Sequence, residues 1–259
     1  MTLSAQLVTL FNQEPIQNDQ HRLCVGLAAT PEDVRAAQRL RYQVFVDEMG
    51  ACLDCAEPGI EADHFDSYCQ HLLVRRSDTN EIVGCYRILT DIQARKAGGY
   101  YSETEFDLTR ILSIPGRFIE VGRTCVHPDY RNGATIALLW SGLARFIVMN
   151  QVEFLIGCAS IPLITGTRKA SVIYDRLASN YLAPAEWRTF PKVPLPKIQL
   201  TGTEEAAEIP PLVKAYLRVG AKICGEPAWD PDFNVADLFI MLRTENIGAR
   251  YLRHFINRA

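Results

Sequence analysis

Two opposite charges interrupt an otherwise apolar run, RFIEVGRTCV (117–126): Glu120 and Arg123. A charge buried in a strand is costly unless it is paired or used. A carboxyl in low dielectric holds its proton more tightly than in water, which suits Glu120 to accept a proton from an ammonium group. The alternative is a sheet-spanning ion pair. Strand alternation places Glu120 and Gly122 on one face and Val121 and Arg123 on the other. Immediately downstream, VHPDYRNGATIALLW (126–140) reads as a strand end, a turn through Arg131, Asn132 and Gly133, and a long helix. Free N–H groups and the positive dipole end at that helix start would receive a phosphate. An ordinary cap glycine is the other possibility.

A third group lies nearer the N-terminus. Arg41 and Phe45 stand four apart on one helix face, and Glu61, Asp63 and Asp66 follow in GIEADHFD (59–66). Residues 31–66 hold nine acids against three bases, a local charge of −6. The pattern describes either a solvated acidic loop or a site that draws in a cationic amine while Arg41 anchors a carboxylate. Cys52 and Cys55, with Cys69 and His71 downstream, are the best metal candidates. The Cys69-Gln70-His71 spacing is too tight for both side chains to reach one tetrahedral ion, so no metal site is expected.

The elements that must position these groups follow from periodicity and turn chemistry. Leu3, Leu7, Leu10 and Phe11 suggest a short opening helix. RLCVGLAA (22–29) predicts a strand. Thr30-Pro31-Glu32-Asp33 then supplies an N-cap, a first-turn proline and first-turn acids for a helix to about Glu48. HLLVRR (71–76) and IVGCYRIL (82–89) flank a five-residue turn and predict a hairpin. Residues 91–113 show no clear period. Strand 117–126, a buried helix 134–150, strand 153–160 and helix 168–181 follow. A Pro-rich surface stretch, APAEWRTFPKVPLPK (183–197), leads to helix 211–219, strands 221–227 and 235–242, and a closing helix 246–257.

The chain has 259 residues, 48% hydrophobic and 22% charged, with a net charge of −3. These values fit a globular α/β protein and exclude disorder and coiled coil. They give no basic field for nucleic acid. No apolar run reaches the roughly 20 residues of a membrane span. MTLSAQLVTLFNQEP lacks the basic start and cleavage site of a signal peptide. Eight cysteines, several inside apolar strands, suggest reduced thiols and a cytoplasmic location.

The sequence from VHPDYRNG into its helix resembles the acyl-CoA-binding core of the GNAT acyltransferase superfamily. Its loop, Arg131-Asn132-Gly133-Ala134-Thr135, carries Ala134 where the superfamily usually has glycine. That departure is shared by the branch taking long acyl chains from acyl carrier protein, which includes acyl-homoserine-lactone synthases and N-acyl amino acid synthases. Arg41-x-x-Val44-Phe45, Glu61-x-Asp63-x-x-Asp66, Gly84-x-x-Arg87, Phe106 and Glu120-x-x-Arg123 match that branch residue by residue. The tryptophan common after the first motif in homoserine-lactone enzymes is replaced here by Met49-Gly50-Ala51. Segments 120–146, 157–162 and 210–239 are similar to the L-ornithine Nα-acyltransferases of ornithine-lipid synthesis, and the resemblance covers roughly residues 22–256.

The resemblance implies an α/β fold of GNAT type, a mixed, mostly antiparallel sheet flanked by helices, with strands 117–126 and 153–160 splayed apart. It implies a single domain over 1–259, with 1–21 as an N-terminal extension and 183–209 as the Pro-rich connection. It further implies transfer of a long 3-hydroxyacyl chain from acyl carrier protein to the α-amine of ornithine. Glu120 would be the base, Arg123 and Arg87 would organise the acidic loop, and Tyr174 would donate a proton to the leaving thiol. Arg41, Phe45, Asp63, Asp66, Arg87 and Phe106 would bind substrate. Val126 and the loop Arg131, Asn132, Gly133, Ala134 and Thr135 would hold the 4′-phosphopantetheine arm, a co-substrate; no permanently bound cofactor is implied. Phe106, Leu138, Trp140 and Ile156 would line the acyl tunnel, and a backbone N–H near Thr124–Val126 would receive the oxyanion. Peripheral contact with the inner membrane face through the lipid product is a further expectation. Acylation of tyrosine, glycine or homoserine stays open as an alternative, as does a non-catalytic acyl-carrier or lipid-binding module.

Overall fold

Thr30 and Asp33 close a reciprocal capping box, with Thr30 Oγ1 accepting from the Asp33 N–H and the Asp33 carboxylate accepting from the Thr30 N–H. Pro31 occupies the first turn, where no N–H is required. Helix α1 (Pro31–Tyr42) begins there as its sequence dictates. Past Tyr42 the turns widen into a π-helical segment, Gln43–Glu48, in which the Met49 N–H donates to Val44 O at 3.0 Å. The computed structural model describes residues 11–12, 16–18, 22–199 and 207–247. Most of the expected opening helix and most of the expected closing helix lie outside them.

The sheet contains β1 (Ile16–Asn18), β2 (Leu23–Leu27), β3 (Gln70–Arg76), β4 (Ile82–Thr90), β6 (Phe118–Val126), β7 (Phe154–Pro162), β11 (Val235–Arg243) and β10 (Ala228–Asp230), hydrogen-bonded in that order. The short β9 (Lys222–Ile223) also pairs with β11. Every pairing is antiparallel except β6 with β7. Strand alternation sorts the core. Leu72 and Val74 of β3 pack with the apolar helix α4 (Ala134–Asn150), while Leu73 faces Ala37 and Leu40 of α1 on the other side. Between β4 and β6 lie two short helices, α2 (Asp91–Ala97) and α3 (Thr109–Leu112), and the two-residue strand β5 (Phe106–Asp107). Helix α5 (Thr167–Tyr181) follows β7, and helix α6 (Pro211–Arg218) precedes β9.

Two irregularities in the centre shape the rest. Pairing of β6 with β7 stops after Phe118–Glu120 against Phe154–Ile156, so the two strands diverge from there on. Gly157 stands at the fork, where a Cβ would lie 2.3 Å from Val121 O. The splayed strands expected from the resemblance are therefore present. The second irregularity is a bulge in β6 opposite Cys85–Arg87, with Arg123 at a φ of 49°. A positive φ is costly for a side chain bearing a Cβ, and such strain concentrates at functional sites.

The Pro-rich stretch is less irregular than its composition suggests. Phe190–Pro191 forms β8 against β5, and the N–H groups of Thr189, Lys192 and Leu195 donate to Cys224, Glu105 and Pro227 carbonyls. Among the described residues no helix is long and apolar enough to cross a membrane.

Candidate active site

The fork between β6 and β7 opens into a cavity of about 700 Å³. Its walls carry Glu120 to Val126 from β6, Cys158 to Ser160 from β7, the π-helical segment through Phe45 and Glu48, and Leu212 and Val213 of α6. Arg131 and Gly133, just before α4, also belong to the wall, so this cavity joins the base candidate to the helix start.

Glu120 is 5% exposed and accepts from three donors. The Tyr101 N–H reaches one carboxylate oxygen at 2.7 Å, and the Ser102 N–H and hydroxyl reach the other at 2.7 and 2.5 Å. Burial raises its pKa above the ordinary carboxylate value, while the Ser102 and Tyr101 bonds and the charge of Arg87 oppose that rise. A carboxylate held in one rotamer, and more basic than usual, is equipped to take a proton from an amine. Its cradle is the short helical turn Tyr101–Thr104. Nothing in the residue types of 91–113 signalled it, because two of the three bonds come from backbone N–H groups.

The acidic loop is a closed ion network. Arg41 is fully buried; its Nε meets Glu61, and its two terminal nitrogens reach the two Asp66 oxygens at 2.7 Å each. Arg87 reaches Asp63 at 2.5 Å, and Arg123 reaches Glu61 at 3.0 Å and Asp63 at 3.1 Å. Three guanidinium groups thus match three carboxylates. Burial would raise the Asp66 carboxyl, but Arg41 holds it well below the usual carboxylate range. The expectation that Arg41 anchors a substrate carboxylate and that Asp63 and Asp66 bind amine cations is corrected. Their charges are spent on one another, and Arg41, Asp63 and Asp66 are absent from the cavity wall.

Arg123 also departs from the alternation rule. It shares Asp63 with Arg87, and Arg87 pairs with Gly122, so Arg123 reaches the face that Glu120 and Gly122 occupy. The positive φ at the bulge turns it there. Its guanidinium lies over the rings of Tyr101 at 4.6 Å and Phe233 at 4.5 Å, and Phe233 meets Phe45 edge-on at 5.6 Å. Phe45, Arg87 and Arg123 all contribute to the wall.

At the helix start, Gly133 has a φ of 89° and an open flank where a Cβ would meet nothing. Asn132 Oδ1 accepts from the Ala134 N–H at 3.0 Å. Arg131 grips both Glu48 oxygens at 2.6 Å, and its Nε donates to Val126 O. Thr135 is fully buried and donates its hydroxyl to Tyr130 O, so that hydroxyl is not offered to a phosphate.

Other expectations fail on placement. Phe106 is buried against Phe239, with ring centroids 5.7 Å apart, and lies outside the wall. Leu138, Trp140 and Ile156 lie outside it too; Val44, Met49, Phe65, Leu89, Ile136 and Leu212 supply the apolar lining instead. Tyr174 packs against the main core away from the cavity, so it is not positioned to protonate a leaving thiol. Cys52, Cys55, Cys69 and His71 form no three-ligand cluster among the described residues. Asp230 and Asp237, which sequence reasoning did not single out, do face the cavity.

Residues 40–141 match the acetyltransferase (GNAT) domain family. The chain is 35% identical over 245 residues to L-ornithine Nα-acyltransferase of Agrobacterium fabrum, covering 88% of this chain and 83% of that one. It is 36% identical over 247 residues to the protein of the same name from Brucella abortus, covering 89% and 88%. Among solved structures it is similar to FeeM, an N-acyl amino acid synthase from uncultured soil microbes, with a TM-score of 0.53 at 11% identity over 90% of this chain and 93% of that one. It is also similar to the CoA-dependent acyl-homoserine lactone synthase BjaI, with a TM-score of 0.54 at 16% identity over 88% and 82%. At such identities these two likenesses concern the fold alone.

Proposed function

This chain belongs to the L-ornithine Nα-acyltransferase family, and from that membership we propose how its cavity carries out the transfer. The enzyme moves an acyl group from a thioester to the α-amine of L-ornithine. We assign the donor to a long-chain 3-hydroxyacyl group on acyl carrier protein, with its 4′-phosphopantetheine arm entering the fork as co-substrate. The phosphate would meet the helix start at the open flank of Gly133, and the acyl chain would lie on the apolar wall.

Ornithine enters with its α-nitrogen protonated. Glu120 takes one proton and frees the lone pair, which attacks the thioester carbon. The C–N bond forms and the carbonyl oxygen gains the charge. The His127 N–H donates to Val83 O at 2.9 Å, so by alternation the Val126 N–H points into the open fork. That N–H is the donor best placed to receive the oxyanion. The C–S bond then breaks, and the second amine proton leaves with the thiol through solvent in the cavity.

One observation carries the assignment: a buried carboxylate fixed by Tyr101 and Ser102 shares one cavity with the uncovered helix start at Gly133. Purified protein with 3-hydroxyacyl carrier protein and a panel of free amino acids, read by mass spectrometry, tests it. Acyl-ornithine as the main product is expected. A main product from tyrosine or glycine would overturn the amine assignment, and no amide at all would overturn the chemistry.

A further inference from the structure

The six-membered ion network leaves ornithine without the cation site expected for it. A second acidic group reaches the same cavity through Asp230 and Asp237. Carboxylate oxygens of Glu105, Asp230 and Asp237 all lie within 4.8 Å of one another, although the residues come from the turn after Ser102, from β10 and from β11. Asp230 and Asp237 are 8% and 3% exposed and line the cavity. Asp230 Oδ1 accepts from the N–H groups of Asp232 and Phe233, and Asp237 Oδ1 accepts from the Ser160 hydroxyl at 2.5 Å. Both oxygens of Glu105 are buried with no hydrogen-bond partner of good geometry; the Tyr101 hydroxyl and the Asp237 carboxyl are the groups that face them. A buried unpartnered carboxylate aimed at two others is a strong demand for a cation or a proton.

We propose that Glu105, Asp230 and Asp237 form the subsite for the side-chain ammonium of the amino-acid acceptor; this rests on ornithine being that acceptor.

Three arguments support the assignment. The first is shape. A tetrahedral ammonium with three acceptors at about 2.8 Å holds them about 4.6 Å apart, whereas an octahedral magnesium at about 2.1 Å draws adjacent oxygens to about 3 Å. Oxygens that all lie within 4.8 Å of one another accommodate the ammonium. The second is reach. Ser102, which donates to Glu120, lies 3.3 Å from Cys158 Sγ, and Ser160, which donates to Asp237, is the next residue of β7 on the same face. Two residues along a strand span about 6.6 Å. The five single bonds between ornithine's nitrogens span about 6 Å. One nitrogen can therefore sit by Glu120 while the other sits by Asp237. The third is charge. Burial and the neighbouring aspartates push the Glu105 carboxyl up to about 9, and burial raises Asp237 to about 6. The subsite thus holds a proton that an arriving ammonium would replace.

The test compares ornithine with norvaline, which is ornithine with hydrogen in place of the side-chain ammonium. Wild type and the near-isosteric variants Asp237→Asn and Asp230→Asn are assayed for kcat/KM with each amino acid, for KM of the acyl donor, and for Tm. The asparagines retain the oxygen that Ser160 or the Asp232 and Phe233 N–H groups use. A charge-assisted bond predicts that the ornithine-to-norvaline preference falls about tenfold or more in either variant, with donor KM unchanged. If Asp237→Asn fails to fold, Asp230→Asn decides. A preference equal to wild type in a folded variant overturns the subsite, as does a wild type that uses both amino acids equally. Stimulation of wild type by added magnesium, lost in Asp237→Asn, would make it a metal site and overturn the proposal. Failure of wild type to acylate ornithine while it acylates another amino acid would instead sink the acceptor assignment itself.

Discussion

Replacing Glu120 by glutamine removes proton acceptance, and the cradle shows what else it does. Both carboxylate oxygens accept, one from Tyr101 and the other twice from Ser102. A glutamine oxygen can serve Ser102, but its NH₂ then faces the Tyr101 N–H, donor against donor. One buried N–H left unpaired costs about 1–3 kcal/mol, so Glu120→Gln should be measurably less stable as well as slow. Loss of the base lowers the rate about 10²–10⁴-fold. Ser102→Ala separates the two effects, because it deletes one donor to the ionised carboxylate and keeps the base. Glu120 must be ionised to act, and burial already raises its pKa above the ordinary value. The acidic limb of kcat/KM therefore lies above the pH of an ordinary carboxylate. Loss of a bond to the charged form raises that pKa further, so the limb moves to higher pH in Ser102→Ala while the plateau changes little. The assay is kcat/KM for ornithine from pH 5 to 9 at saturating acyl donor, with Tm measured alongside. A Glu120→Gln enzyme with more than a tenth of wild-type rate, or a Ser102→Ala limb at the wild-type position, would refute the assignment of Glu120 as base.

Arg41→Gln leaves Glu61 and Asp66 buried without their main counter-charge. It should cost about 3–5 kcal/mol, or roughly 10 °C in Tm, and a Tm within 2 °C or so of wild type would show the network to be dispensable. Glu105 stays protonated in the folded chain up to about 9 but ionises near 4.5 when unfolded. Stability from this group is thus present below about 4.5 and is lost as pH rises towards 9, at about 1.4 kcal/mol per unit. Urea midpoints at pH 5 and 8 should diverge more for wild type than for Glu105→Gln; parallel changes would contradict the buried protonated acid. For the donor, KM for acyl carrier protein should lie well below KM for acyl-CoA of equal chain length, with the gap shrinking in high salt. The exposed bases Arg110, Arg117, Lys169 and Arg176 lie where an acidic carrier could meet them, and equal KM values at low salt would show that they do not engage one.

The regular elements were legible because each carries its signal locally. The capping box at Thr30, the hairpin of 71–76 with 82–89, and the long apolar helix 134–150 need only neighbours in sequence, and all three formed within a residue or two of expectation. Glu120 was legible for a related reason, since a lone acid in an apolar strand is conspicuous at any distance from its partners. Arg123 was conspicuous for the same reason, but alternation misplaced it. Alternation assumes extended backbone, and a φ of 49° at that residue breaks the count.

Charge patterning failed for a different reason. The −6 of residues 31–66 suggested either a solvated loop or a site for a cationic amine, but its partners Arg87 and Arg123 arrive from β4 and β6, 21 and 57 residues beyond Asp66. A window cannot balance charges that the sheet brings together. The converse holds for Glu105, Asp230 and Asp237. No local run of acids marks the three as one group, since more than a hundred residues separate the first from the others. Only the pairing of β11 with β7, which sets Asp237 opposite Ser160, places Asp237 on the wall that β6 opens. Density of acids along the chain therefore marks the scaffold here, where matched arginines fix the loop and the bulge. Scarcity of partners in space marks the place where the molecule still asks for a positive charge.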